Sequence, residues 1–199
     1  MRAQSRLGWI LAGGTILASL GCVGYSSYPK VEGGAPSSPN FIHMRPVIAE
    51  SLKAVIEKYH PQDAGPYAVN LPIGITETGR DEVMKALGAQ AMDLTPRTEH
   101  LPIYHVGRVW VRGADAKVDI VRPILELGRL PGGQPTYQGV TVWLDGGINN
   151  WWVEMIQPWS IGVVEPPELH YVVEHPPEES SRDQAAPAEA GAPPQEPRE

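Results

Sequence analysis

Apolar residues recur every three or four positions between Val47 and Tyr59. Val47, Ile48, Leu52, Val55, Ile56 and Tyr59 share one side, and Glu50, Lys53, Glu57 and Lys58 fall elsewhere. That period predicts an amphipathic helix, with Pro46 in its first turn and His60-Pro61 ending it. A short strand is predicted at 67–71 (YAVNL). A second helix is predicted from Thr78, which makes a capping-box-like pair with Asp81. Val83, Ala86 and Leu87 give that helix an apolar side, and Gly88 stops it.

From Ile103 onward the period changes to two. Val109 and Val111 alternate with Arg108, Trp110 and Arg112. After a turn at 113–116, Val118 and Ile120 rejoin the core side and leave Lys117 and Asp119 outside, so this segment predicts a hairpin with one wet face. Val140, Val142 and Leu144 alternate with Thr141 and Trp143. A turn-rich stretch at 145–150 then leads to Trp151–Ile156. LHYVVE, 169–174, reads as a last strand. Pro123, Pro131, Pro135 and Pro158 punctuate these elements, because proline cannot donate to a strand ladder. The order predicts an α+β domain in which two N-terminal helices pack on a mostly antiparallel sheet of about five to six strands.

Composition sets the limits of that domain. Hydrophobic residues are 42% of the chain and charged residues 20%, enough apolar material for a core. The 21 Pro and 21 Gly are unevenly spread. Residues 22–40 read as Cys22 followed by a flexible tether rich in Ser, Gly and Pro; the eighteen residues 23–40 span roughly 23 Å. Residues 176–199, rich in Pro, Ala and Glu, read as a disordered acidic tail. One domain is expected at 41–175.

The N-terminus reads as an address. Arg2 and Arg6 precede the apolar stretch LGWILAGGTILASL, residues 7–20. As a helix those fourteen residues cover about 21 Å, short of the roughly 30 Å hydrocarbon core. The segment suits the hydrophobic region of a signal peptide better than a span. It ends in Ser19-Leu20-Gly21-Cys22, and Cys22 is the only cysteine. Here the chain resembles the lipobox of bacterial lipoprotein precursors, in which a small residue precedes an obligatory cysteine. It departs from that pattern at Ser19, where the family favours Leu. The resemblance implies a signal peptide at 1–21 and a diacylglyceryl thioether on Cys22. The bilayer would then be a partner through acylated Cys22, and the thiol would be unavailable for catalysis or metal binding. Val23, in place of the Asp that favours inner-membrane retention in enterobacterial lipoproteins, points to the outer membrane on the periplasmic side.

The formal net charge of −7 and the absence of a basic run argue against nucleic acid as a partner. Glu99, His100 and His105 lie close together, and His170 and His175 are five apart. On strands each pair points to opposite sides, and no HExxH motif exists. No metal and no cofactor are expected. No G-x-S-x-G is present, and Asp119, Asp145 and Glu154 show no pairing for glycoside cleavage. Tryptophan is the remaining signal. Trp143, Trp151, Trp152 and Trp159 fall close together, and adjacent Trp151 and Trp152 must point to opposite faces of a strand. With Arg108 and Trp110 on a neighbouring hairpin, Trp143, Trp151 and Trp152 form a candidate ligand-binding face. The expected function is a membrane-anchored envelope lipoprotein that acts as a non-catalytic binding or assembly module. Its expected partner is a cell-wall polymer or an envelope protein. The alternative is a small hydrolase acting on polysaccharide or peptidoglycan.

Overall fold

The apolar stripe from Val47 onward forms a helix because it has a face to bury. In the structure, a computed structural model describing residues 25–30, 37–127, 135–147, 150–162 and 164–173, helix α1 is Met44–Tyr59. Met44, Val47, Ile48, Leu52, Val55 and Ile56 are buried along one side. Pro46 sits in the first turn, where a missing N–H costs nothing. The helix stops at His60, whose backbone is extended ahead of Pro61. The His60 ring is buried as well. Its Nε2 donates to the Gly65 carbonyl at 2.9 Å, and its Nδ1 accepts from the Tyr104 hydroxyl at 3.1 Å.

Helix α2, Glu77–Leu87, begins one residue earlier than its expected start at Thr78. Thr76 is the N-cap, with its Oγ1 accepting from Gly79 N at 3.2 Å. Gly79 is buried against the Arg45 side chain, and Arg45 Nη1 reaches Glu82 at 2.8 Å, which ties α2 to α1. Gly88 ends the helix at φ +89°, a conformation open to glycine.

Seven strands make one sheet: β1 Tyr25–Tyr28, β2 Tyr67–Asn70, β3 Ala91–Asp93, β4 Ile103–Arg112, β5 Asp115–Pro123, β6 Tyr137–Gly146 and β7 Trp151–Pro158. Their spatial order is β3-β2-β4-β5-β6-β7. β1 and β2 share one edge of β4, β2 running parallel to Ile103–His105 and β1 antiparallel to Val109–Arg112. The domain is α+β and the sheet mostly antiparallel, but the helices do not both precede the strands. β1 comes before α1, β2 separates the helices, and β2 pairs in parallel with both β3 and β4.

Two sequence expectations fail here. Tyr25–Tyr28, read as tether, is β1. Its Tyr-Ser-Ser-Tyr pattern has no apolar alternation, yet Ser26 and Ser27 are buried because the open edge of β4 supplies its backbone partners. Tyr28 packs against the core, and its hydroxyl accepts from Ile73 N at 2.8 Å. Residues 169–173, read as the start of a strand, are irregular and make one backbone bond, Val172 N to Leu94 O at 2.9 Å. The signal peptide at 1–21, Cys22 and the tail at 176–199 lie outside the described residues.

α1 covers one face of the sheet. Its stripe meets Tyr104, Val106, Val109, Val111, Val118, Ile120, Val140, Val142 and Leu144 in the main core. On the opposite face, residues 164–173 form a strap across the β2 end. Asn70, 1% exposed, holds the strap with its side-chain amide. Its Oδ1 accepts from His170 N at 3.0 Å, and its Nδ2 donates to Glu168 O at 2.8 Å and to His105 Nδ1 at 3.1 Å. Tyr171 adds a bond from its hydroxyl to Glu99 at 2.8 Å. Burial, reinforced by the nearby His170, pulls the His105 pKa down to about 4.

Two outcomes follow for stability. Asn70→Leu keeps the shape but leaves three partners unbonded, His105 Nδ1 among them. It should cost about 3 kcal/mol in urea denaturation and speed amide exchange at His170 and Val172. Unchanged exchange at both amides would show that Asn70 does not hold the strap. His105 takes a proton near pH 6.5 when unfolded but only near pH 4 when folded. As pH falls from 6.5 to 4 the unfolded state binds a proton that the folded state refuses. Stability should therefore drop over that window by about 3 kcal/mol and level off below it. His105→Gln should lack this component when urea midpoints are compared between pH 7.5 and 4.

Candidate functional site

The registers of four strand pairs assemble the site from the face away from α1. Ser27, Trp110, Lys117, Trp143 and Met155 stand opposite one another across β1, β4, β5, β6 and β7. The next row is Arg108, Asp119, Thr141 and Gln157. Period-two alternation puts them there, since Val109, Val118 and Val142 between them point into the core.

Within the first row, Lys117 lies between two indoles. Its Nζ is 3.8 Å from the Trp143 ring centroid and 5.3 Å from that of Trp110. Such a contact contributes about 0.5–2 kcal/mol, depending on how far the ammonium is desolvated. In the second row, Asp119 accepts from the Thr141 hydroxyl at 2.7 Å and faces Arg108 Nε at 3.6 Å. Thr141 Oγ1 in turn accepts from Trp159 Nε1 at 2.9 Å. Trp159 leaves the end of β7 and folds back over Gly139, donating its backbone N–H to Gly139 O at 2.8 Å. A Cβ on Gly139 would collide with that indole, so only glycine lets Trp159 close this side.

Together Arg108, Trp110, Lys117, Asp119, Thr141, Trp143 and Trp159 line a shallow groove of about 360 Å³. It offers indole surface, two cations, a hydroxyl and one carboxylate. Stacking on a ring and hydrogen bonding to its substituents are within its means; the paired carboxylates of glycoside cleavage are not among its lining residues. Among the described residues, no group of three or more His, Cys, Asp or Glu side chains is arranged to hold a metal ion.

The sequence-predicted residues divide. Arg108, Trp110 and Trp143 come together. Trp151 does not: it is 7% exposed on the α1 face and belongs to the main core, because the register shift between β6 and β7 turns it inward. Trp152 points the other way, as adjacency requires, and is 56% exposed opposite Asp145, outside the groove. Cys22 lies outside the described residues. The sequence pattern places Lys117 and Asp119 on the wet face without assigning either to the site. Trp159 sits beyond Pro158, where no strand period remained to orient it.

Two larger grooves flank the strap. One, of about 1000 Å³, runs past Leu71, Arg80, Asp93 and Tyr171. There Arg80 contacts Asp81 at 3.1 Å and Asp93 at 3.6 Å, and burial raises the Asp93 pKa against the pull of Arg80. The other, of about 990 Å³, lies between the strap and the β4–β6 end of the sheet, with His105 among its walls. No described helix is long and apolar enough to cross a membrane. No protein-family model, no curated protein and no solved structure matches this chain.

Proposed function

We propose that this chain is a lipid-anchored, non-catalytic binding module of the bacterial cell envelope. Acylated Cys22 holds it on the periplasmic side of the outer membrane, and the Trp110–Lys117–Trp143 groove binds a cell-wall glycan. The observation that supports this reading best is the groove itself. Two indoles flank a cation, and an Asp119–Thr141–Trp159 hydrogen-bond chain lies beside them. Sugar rings present apolar C–H faces and a rim of hydroxyls, which this pairing of aromatic surface with donors and acceptors suits. The groove is open and carries a single carboxylate, which favours binding over hydrolysis.

β1 begins at Tyr25, so only Val23 and Gly24 separate it from Cys22. Three residue steps span at most about 11 Å. The domain would sit against the lipid surface rather than at the end of a long tether.

Two measurements test the reading. The purified chain from residue 23 onward should sediment with insoluble peptidoglycan sacculi. Trp143→Ala and Lys117→Ala should each weaken that binding at least tenfold without shifting the urea midpoint enough to unfold the protein. Equal sedimentation of all three proteins would remove the groove from the function. In cells, Cys22→Ser should move the protein from the membrane to the soluble periplasmic fraction; a variant that stays with membranes would overturn the anchor.

A further inference from the structure

We propose that the groove between the strap and the sheet is a second binding site, for an uncharged apolar molecule carrying an acyl carbonyl. The Asn70 amide cannot be flipped without breaking its bonds, because Oδ1 accepts from His170 N and Nδ2 donates to Glu168 O. Nδ2 therefore also faces His105 Nδ1, 3.1 Å away, and Nδ1 must accept. A neutral imidazole that accepts at Nδ1 carries its proton on Nε2. His105 is 1% exposed, and Nε2 has no hydrogen-bond partner among the described residues.

A buried donor with no acceptor is an expensive arrangement to keep. It is economical where a ligand supplies the acceptor. His105 is part of the wall of a groove of about 990 Å³, whose other walls include Leu101, Ile124, Tyr137, Val164 and Leu169. Tyr137 lines the groove and packs edge-on against the imidazole, with ring centroids 5.2 Å apart at 75°.

The lining selects the ligand. Aliphatic and proline side chains suit a hydrocarbon body. Glu99 and Glu168 also line the groove, so an anionic head group meets like charge. A carboxylate is disfavoured for that reason, and an ester or amide carbonyl is the acceptor that fits. This site lies on the same face of the sheet as the Trp groove but at its other end, and it does not depend on the glycan reading.

The test uses histidine-labelled protein and long-range ¹⁵N–¹H correlation spectra at pH 7, with methyl octanoate and N-methyloctanamide as probes. The free protein should show His105 protonated on Nε2. Titration with the ester or the amide should move that resonance saturably, and the tighter of the two identifies the carbonyl type. Octanoate should bind at least tenfold more weakly. His105→Phe should lose at least tenfold in affinity. If that variant does not fold, Leu169→Glu, at a rim position that is 36% exposed, should lose at least fivefold. The proposal fails if His105 is protonated on Nδ1, if neither neutral probe moves its resonance up to the solubility limit, or if octanoate binds as tightly.

Discussion

Everything on the outer face depends on one break in the period of β4. Tyr104 and Val106 face α1, and so do Val109 and Val111. Strict alternation cannot do both, because the two pairs differ in parity. The register with β5 shifts between Val106 and Arg108, and Gly107 is the residue in between. A Cβ on Gly107 would lie 3.2 Å from the Asp119 carbonyl oxygen, closer than most Cβ atoms come, so glycine relieves crowding at the shift. The shift sends His105 to the outer face on one side of the bulge and Arg108 and Trp110 to the same face on the other. Without it, one end of β4 would drive a charged or polar side chain into the core, and one of the two grooves would lose its central residue.

A bulge belongs to the pairing of strands, not to any single residue type, and this decides what the sequence revealed. The α1 stripe and the Val109–Ile120 hairpin were legible because each is a local period with an apolar face to bury. The three groove residues Arg108, Trp110 and Trp143 were legible for the same reason. β1 was not, because Tyr-Ser-Ser-Tyr takes its burial from the open edge of a strand more than eighty residues away in the chain. Trp151 was assigned to the ligand face although alternation alone allowed either orientation; only the second shift, between Trp143 and Leu144, settles which side of β7 lies inward. Asn70 carried a signal that passed unread. An amide in the middle of YAVNL is unfavourable in a strand unless something occupies it, and the strap does.

The strengths of the contacts also indicate what shapes the Trp groove. The Arg108–Asp119 pair is the obvious candidate, but Arg108 is 70% exposed, and exposed pairs contribute little once salt and side-chain entropy are counted. Asp119 is 18% exposed, and its bond from Thr141 is short. That bond continues through Thr141 to Trp159, whose seat exists only because position 139 is glycine. The groove is thus held by the Asp119–Thr141–Trp159 hydrogen bonds and ring packing, leaving the Arg108 cation free to move toward a ligand. Lys117 is less free, since it must leave two indole faces to do so.

The two grooves at opposite ends of one face acquire a direction once the proposed anchor is considered. β1 enters the sheet beside Arg112, next to the Gly113–Ala114 turn, and Trp152 is at the same end. Under the proposed anchor, three residue steps from Cys22 to Tyr25 would make this the end that meets lipid. An exposed tryptophan there suits the interfacial zone, where an indole keeps its ring in the acyl boundary and its N–H in water. The strap and the groove beside His105 would then lie at the far end, directed away from the membrane. A site for an apolar carbonyl compound on that side is placed to meet molecules outside the bilayer rather than those within it. The Trp groove, one row in from the Arg112–Trp152 end, would then be reachable by a polymer running alongside the membrane.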